Sequence, residues 1–299
     1  MELIASGASP KLSNKVAKCL KKNSGQMSVA LEYKRAVGDE EEVYHVDFRR
    51  YSVKVRESKL DVLFIDTTSP MGMQDCASFV AEQASAKGSF PGPVPIVSTG
   101  AKTTLDVAQA KALGCQGIMV GFSGENAQEL VKAGLSVGLE VVALVATVAQ
   151  VEAAVAAGAS IVCTAPSLKD VEPAQAAQAA LALKEKIPVG IVAVAGLDAH
   201  IGGPPAEVFS PQVELMQIEL GLVKDKDANN NFSQKVLNYA AALKEVKSDS
   251  GPFSGMIALT AVQNSGLRVE RNYGTWLLEK LLSKKSASFN IGEGTLGLS

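Results

Sequence analysis

The chain has 299 residues, with 29 Lys and Arg against 31 Asp and Glu, a formal net charge of −2, 47 % hydrophobic residues and 5 % aromatic ones. That apolar share is enough for a sizeable core, which excludes disorder as the main state, and the length suits one large α/β barrel or two small domains. Balanced charge argues against a dedicated nucleic-acid or anionic-membrane binder, which carries a basic excess on one face, and leaves small ligands or other proteins as partners.

Cys19, Cys76, Cys115 and Cys163 stand far apart with no CxxC, and His45 and His200 are not spaced as a metal pair. The expectation is no metal, no cofactor, and a reducing compartment such as the cytoplasm or a plastid stroma. The longest apolar run, 140–149, falls short of the roughly 20 residues that span a bilayer, so a soluble chain without a transmembrane segment is expected. Residues 1–27 carry Lys11, Lys15, Lys18, Lys21 and Lys22, lack the apolar stretch of a secretory signal, and are expected to form a helical extension.

From there, short apolar runs rich in β-branched residues recur at 29–34, 62–67, 94–99, 117–122, 140–146, 160–165, 188–195 and 255–261. Their continuous apolar character predicts strands buried on both faces, as in a parallel sheet. Helix-period segments follow most of them, among them 75–86, 103–113, 125–137, 148–157, 173–186 and 233–247. Gly114, Gly138 and Gly158 stand where helices end in a left-handed residue, and Pro173 suits a first helical turn. This alternation predicts a single (β/α)8 TIM barrel over 28–285.

The rhythm breaks once, between the seventh and eighth strands, where 198–232 forms an insertion. It holds Gly202-Gly203-Pro204-Pro205 and a polar run at 224–231 that reads as an exposed loop tip. Between them 213–220 alternates apolar and polar residues, which fits a half-buried strand, a partner-facing edge or a lid over the barrel mouth. The amphipathic segment 276–285 reads as the eighth outer helix, and 286–299 as a flexible tail or docking peptide.

Barrel enzymes place their working residues at the C-terminal ends of strands. The first strand ends Glu32-Tyr33-Lys34, which puts a carboxylate and an amine on one side of it, where each shifts the other's pKa and the pair can act as acid and base. The bland reading of that pair is an ion pair holding the mouth. Asp66, Thr99 and Ser123 add polar groups, whereas Leu144, Cys163 and Val194 make the rest of the mouth apolar. Cys163 reads as a packed core thiol rather than a nucleophile. Ser123-Gly124, and Gly196-Leu197 after the seventh strand, are candidates to present backbone N–H groups to a phosphate.

The run Val29-Ala30-Leu31-Glu32-Tyr33-Lys34-Arg35-Ala36 resembles the first-strand motif of indole-3-glycerol phosphate synthase, a (β/α)8 enzyme of the tryptophan pathway, whose Glu-x-Lys pair is catalytic. Ala110-Lys111-Ala112-Leu113-Gly114 with 117–120 is similar to its third helix and fourth strand, and 138–159 to its fifth βα unit. The resemblance covers 28–197 and resumes near Gly255. It implies catalytic roles for Glu32 and Lys34, phosphate contact at Gly196 and Leu197, and, for an active chain, a carbon–carbon lyase of the carboxy-lyase kind.

The departures fall on the family's working positions. Its Ser-Pro-Ser after the first strand is Val37-Gly38-Asp39 here, its general-acid lysine aligns with Ser98, and its fifth-strand glutamate with Leu144. Its sixth-strand Asn-Asn-Arg aligns with Thr164-Ala165-Pro166, its seventh-strand Glu-Ser-Gly with Val194-Ala195-Gly196, and its eighth-strand phosphate segment with Leu259-Thr260-Ala261. A serine cannot supply an ammonium proton, and losing one such group costs on the order of 100-fold in rate. The expectation is a degenerate barrel serving as a structural or regulatory subunit, contacting a protein partner through 198–232 or the tail, with a small phosphorylated ligand as a further partner. The alternatives are a divergent enzyme using Glu32, Lys34 and Asp66, or an active synthase with a shifted site in which Lys102 is the acid.

Overall fold

The computed structural model describes residues 12–21, 28–35, 48–57, 60–164, 171–198, 238–239, 241–243, 253–259 and 262–263. The rest of the expected insertion beyond residue 198, with its alternating 213–220 segment, the expected helix at 276–285, the expected tail at 286–299 and both histidines lie outside them.

Strands β1 (Ser28–Arg35), β2 (Val62–Asp66), β3 (Ile96–Thr99), β4 (Gly117–Gly121), β5 (Glu140–Val145), β6 (Ile161–Thr164), β7 (Val192–Asp198) and β8 (Gly255–Leu259) pair in sequence order, and β1 then pairs with β2. All these pairings are parallel, so the sheet closes on itself with no free edge. A short β9 (Val262–Gln263) continues beyond β8 and pairs with Lys34 and Arg35. Helices α2 (Phe48–Glu57), α3 (Pro70–Ser85), α4 (Thr104–Leu113), α5 (Ala127–Ser136), α6 (Val148–Ala156) and α7 (Pro173–Lys184) alternate with the strands, which is the (β/α)8 TIM-barrel architecture.

Local chemistry sets these boundaries. Helix α3 begins at Pro70 rather than at Asp75, because the Ser69 side chain accepts from the Gly72 N–H and Pro70 fills the first helical position. Helix α4 ends where Gly114 takes φ 90°, a left-handed conformation that closes the helix and turns the chain into β4. Pro173 opens α7 as the sequence predicts.

Alternate strand residues form two cores. Val29, Leu31, Ile65, Ile96, Ile118 and Val141 face the helices, whereas Ala30, Val62, Phe64, Val97, Met119 and Val142 fill the lumen. The short helix α1 (Lys15–Leu20) closes the lower end of that lumen by burying Val16 and Leu20 among the strand residues. Its anchor is Glu140, the fully buried first residue of β5. One carboxylate oxygen accepts from the Ser13 hydroxyl at 2.8 Å and the Val16 N–H at 3.0 Å, the other from the Ala17 N–H at 2.9 Å. A buried carboxylate is tolerated here because charge-assisted bonds replace its water.

Candidate functional site

The outer face of β1 determines what the inner face presents. Tyr33 is buried against the helices, donates to Asp75 of α3 at 3.0 Å, and meets the Phe79 ring edge-on at 4.9 Å. Phe48 of α2 packs edge-on against the same Phe79 at 5.0 Å. With Tyr33 fixed outward, the strand's alternation places Glu32 inward, in register with Phe64 of β2.

Glu32 is 8 % exposed at the C-terminal end of the lumen. Its carboxylate accepts a 2.6 Å hydrogen bond from the Thr99 hydroxyl at the end of β3. Below and beside it the lumen is apolar, with Phe64, Val97, Met119, Leu144 and the fully buried Cys163. Burial, followed by the negative charge of Glu32, pushes the Cys163 thiol up, which keeps it protonated. Tyr239 is buried too, its phenol pushed up by burial and then by Cys163, and its hydroxyl has no hydrogen-bond partner.

The remaining sequence candidates fall as follows. Lys34 lies two residues beyond Glu32 in β1, paired with Val262. Gly196 and Leu197 are not in a turn after the seventh strand: β7 continues to Asp198, and they pair with Ile257 and Ala258 of β8. The strand extends because β8 offers partners along its whole length, so the expected phosphate turn is a ladder segment. Asp66 is engaged locally, accepting from the Thr68 N–H at 2.9 Å and the Thr68 hydroxyl at 2.6 Å. Gly100 follows β3 with φ 84°, and a side chain there would strike Thr68, so the second and third strand ends pack too closely for anything larger.

Ser98 is not the inward residue of β3. It is buried on the outer side, in register with Ile65 and Ile118, and its hydroxyl lies 2.7 Å from that of Thr67. Thr99 takes the inward position instead. Lys102 is an exposed loop residue whose carbonyl accepts from Asn126. Cys163 is a packed core thiol, as the sequence reading held. Among the described residues no cluster of three or more His, Cys, Asp or Glu is placed to hold a metal ion, and no helix is long and apolar enough to cross a membrane.

The fold defines the class, a (β/α)8 barrel, in which the described strand ends set a buried carboxylate among largely apolar neighbours. Within that class, the chain is similar to a structure described as native KDPGal, with 16 % identity, a TM-score of 0.53, and coverage of 87 % of this chain and 94 % of that one. It is also similar to a 4-hydroxy-2-oxoglutarate aldolase/2-deydro-3-deoxyphosphogluconate aldolase from TTHB1, at 13 % identity and a TM-score of 0.50, covering 91 % and 97 %. A third similar structure is a cube-shaped porous protein cage designed by fusing symmetric oligomeric domains, at 16 % identity and 0.53, covering 89 % and 75 %. These likenesses establish the barrel fold. No family model and no curated protein matches the chain.

Proposed function

We propose that the chain is a catalytically degenerate indole-3-glycerol phosphate synthase-like barrel that serves as a structural or regulatory subunit of a larger protein assembly. The observation that carries this reading is the composition of the layer around Glu32. Among the described residues Thr99, Leu144 and Cys163 occupy the inward strand ends there, the cysteine is held as a neutral thiol, and the carboxylate accepts from the Thr99 hydroxyl. Proton transfer to a leaving hydroxyl needs an acid of suitable pKa within reach, and neither a threonine nor an up-shifted thiol is one.

The partner contacts are assigned to 198–232 and 286–299, which are additions to the barrel plan. Tagged full chain is expected to co-purify with a defined partner, and deletion of 199–232 to abolish that; unchanged co-purification would remove the insertion from the reading. A second reading is favoured by Glu32 itself, because a buried carboxylate is costly to retain and clusters at working sites. It is a carbon–carbon lyase in which Glu32 and Lys34 act as acid and base on a small phosphorylated substrate. Incubation with 1-(2-carboxyphenylamino)-1-deoxyribulose 5-phosphate separates the two: the first reading predicts no indole product, and turnover lost in Glu32→Gln would establish the second.

A further inference from the structure

A cavity lies at the end of the barrel opposite the strand-end site. It has a volume of about 570 Å³, within the range of small-molecule pockets, and it opens between α1, α3 and the segment that leads into β3. Helix α1 divides its residues between two tasks. Val16 and Leu20 enter the lumen, while Lys15, Lys18 and Cys19 line this cavity. Lys87, just after α3, brings a third ammonium group. The apolar part of the wall comes from Val80, Val94 and Ile96.

The charge is one-sided: the lining holds three lysines and, among the described residues, no Asp or Glu. A concave surface of one sign with an apolar wall concentrates counter-charged ligands. Gln83 fixes the wall of this cavity beside Val94. It lines the cavity and is 4 % exposed, and its Oε1 accepts from the Val94 N–H at 2.9 Å, which fixes the amide's orientation. Its Nε2 is then a buried donor without a hydrogen-bond partner. An atom closed to water is closed to a ligand as well, so the wall here is set by the Gln83–Val94 bond.

We infer that this lower cavity is a binding site for a small amphipathic anion, an aromatic or short acyl body bearing one acidic head group. The body lies on Val80, Val94 and Ile96, and the head group sits among Lys15, Lys18 and Lys87. Because α1 both lines this site and plugs the lumen, an occupied cavity also holds the plug in place, which links ligand binding to the stability of the barrel's lower end. The inference does not depend on what the strand-end site does.

Cys19 makes the test position-specific, since it is part-exposed and lines the cavity whereas Cys76, Cys115 and Cys163 are buried. The probe is 8-anilinonaphthalene-1-sulfonate, compared with its uncharged counterpart N-phenyl-1-naphthylamine, on the full chain. The sulfonate is expected to bind at least about tenfold more tightly than the neutral compound and, at saturation, to slow alkylation of Cys19 by iodoacetamide about tenfold. Combined Lys15→Gln, Lys18→Gln and Lys87→Gln substitutions, all at exposed side chains, are expected to weaken sulfonate binding about tenfold and remove the protection. Equal binding of the two probes, binding without protection of Cys19, or an unchanged affinity in the triple variant would each overturn the proposal.

Discussion

Two of the buried carboxylates face the lumen, Glu140 at its lower end and Glu32 at its mouth, and their described partners differ in kind. Glu140 uses both oxygens to hold the Val16 and Ala17 amides of α1, with Ser13 as a third donor. Glu32 accepts from Thr99, a hydroxyl that can rotate away. Backbone amides of a plugging helix cannot turn aside unless the plug moves, so the lower carboxylate is bound to the fold. The upper one is compatible with a site that once moved protons. Burial of charge alone therefore does not mark a working residue; what sets Glu32 apart from Glu140 is the freedom of its described partner.

The lower end is where the comparison can be broken most strongly. Leu20 is fully buried in the lumen, so Leu20→Ala is expected to cost about 3 kcal/mol of unfolding free energy in urea titration. A loss well below about 1 kcal/mol would detach α1 from the lumen core.

The pH dependence sharpens the description of the core at intermediate size. The Cys76 thiol is pushed up by its hydrogen bond with Cys115, 3.5 Å away, and by burial, and Cys163 by burial and the charge of Glu32. The folded chain thus holds these protons more tightly than the unfolded chain does. Their contribution is full below the unfolded thiol pKa of about 8.5 and falls as pH rises above it, by up to about 1.4 kcal/mol per pH unit for each thiol. Cys163→Ala is expected to flatten that decline above about pH 9; an unchanged slope would remove Cys163 from it.

The smallest effect is expected at the mouth. Thr99→Val deletes one donor to Glu32 and is expected to cost about 1 kcal/mol in the same titration. A cost of about 3 kcal/mol or more would make the Glu32–Thr99 pair a keystone of the fold.

Much of the barrel is legible in the sequence, because strands buried on both faces are continuous apolar runs and their helices end on Gly or begin on Pro. The same property hides the parity of each strand. A run apolar on both faces has no period-two signal to say which side is the lumen, so the resemblance sets the general-acid position on Ser98, whereas the structure turns Thr99 inward. Tyr33 escapes this ambiguity only because its partners Asp75 and Phe79 are visible in the structure. Helix α2 is hard to read because Arg49, Arg50, Lys54 and Arg56 crowd its short apolar stripe. The lysines of 1–27 likewise mask the Val16 and Leu20 pair, whose spacing of four is the one local sign of a plugging face. Glu140 leaves a fainter sign, a lone carboxylate at the head of an otherwise apolar strand.

The most direct test of this division is parallel urea unfolding of Glu140→Gln and Glu32→Gln. An amide keeps one acceptor and replaces the other with a donor, so Glu140→Gln sets an NH2 group against one of the α1 amides, while Glu32→Gln still accepts from Thr99. The account predicts a loss of about 2–3 kcal/mol for Glu140→Gln and less than about 1 kcal/mol for Glu32→Gln. Equal losses, or a larger one at Glu32, would contradict it.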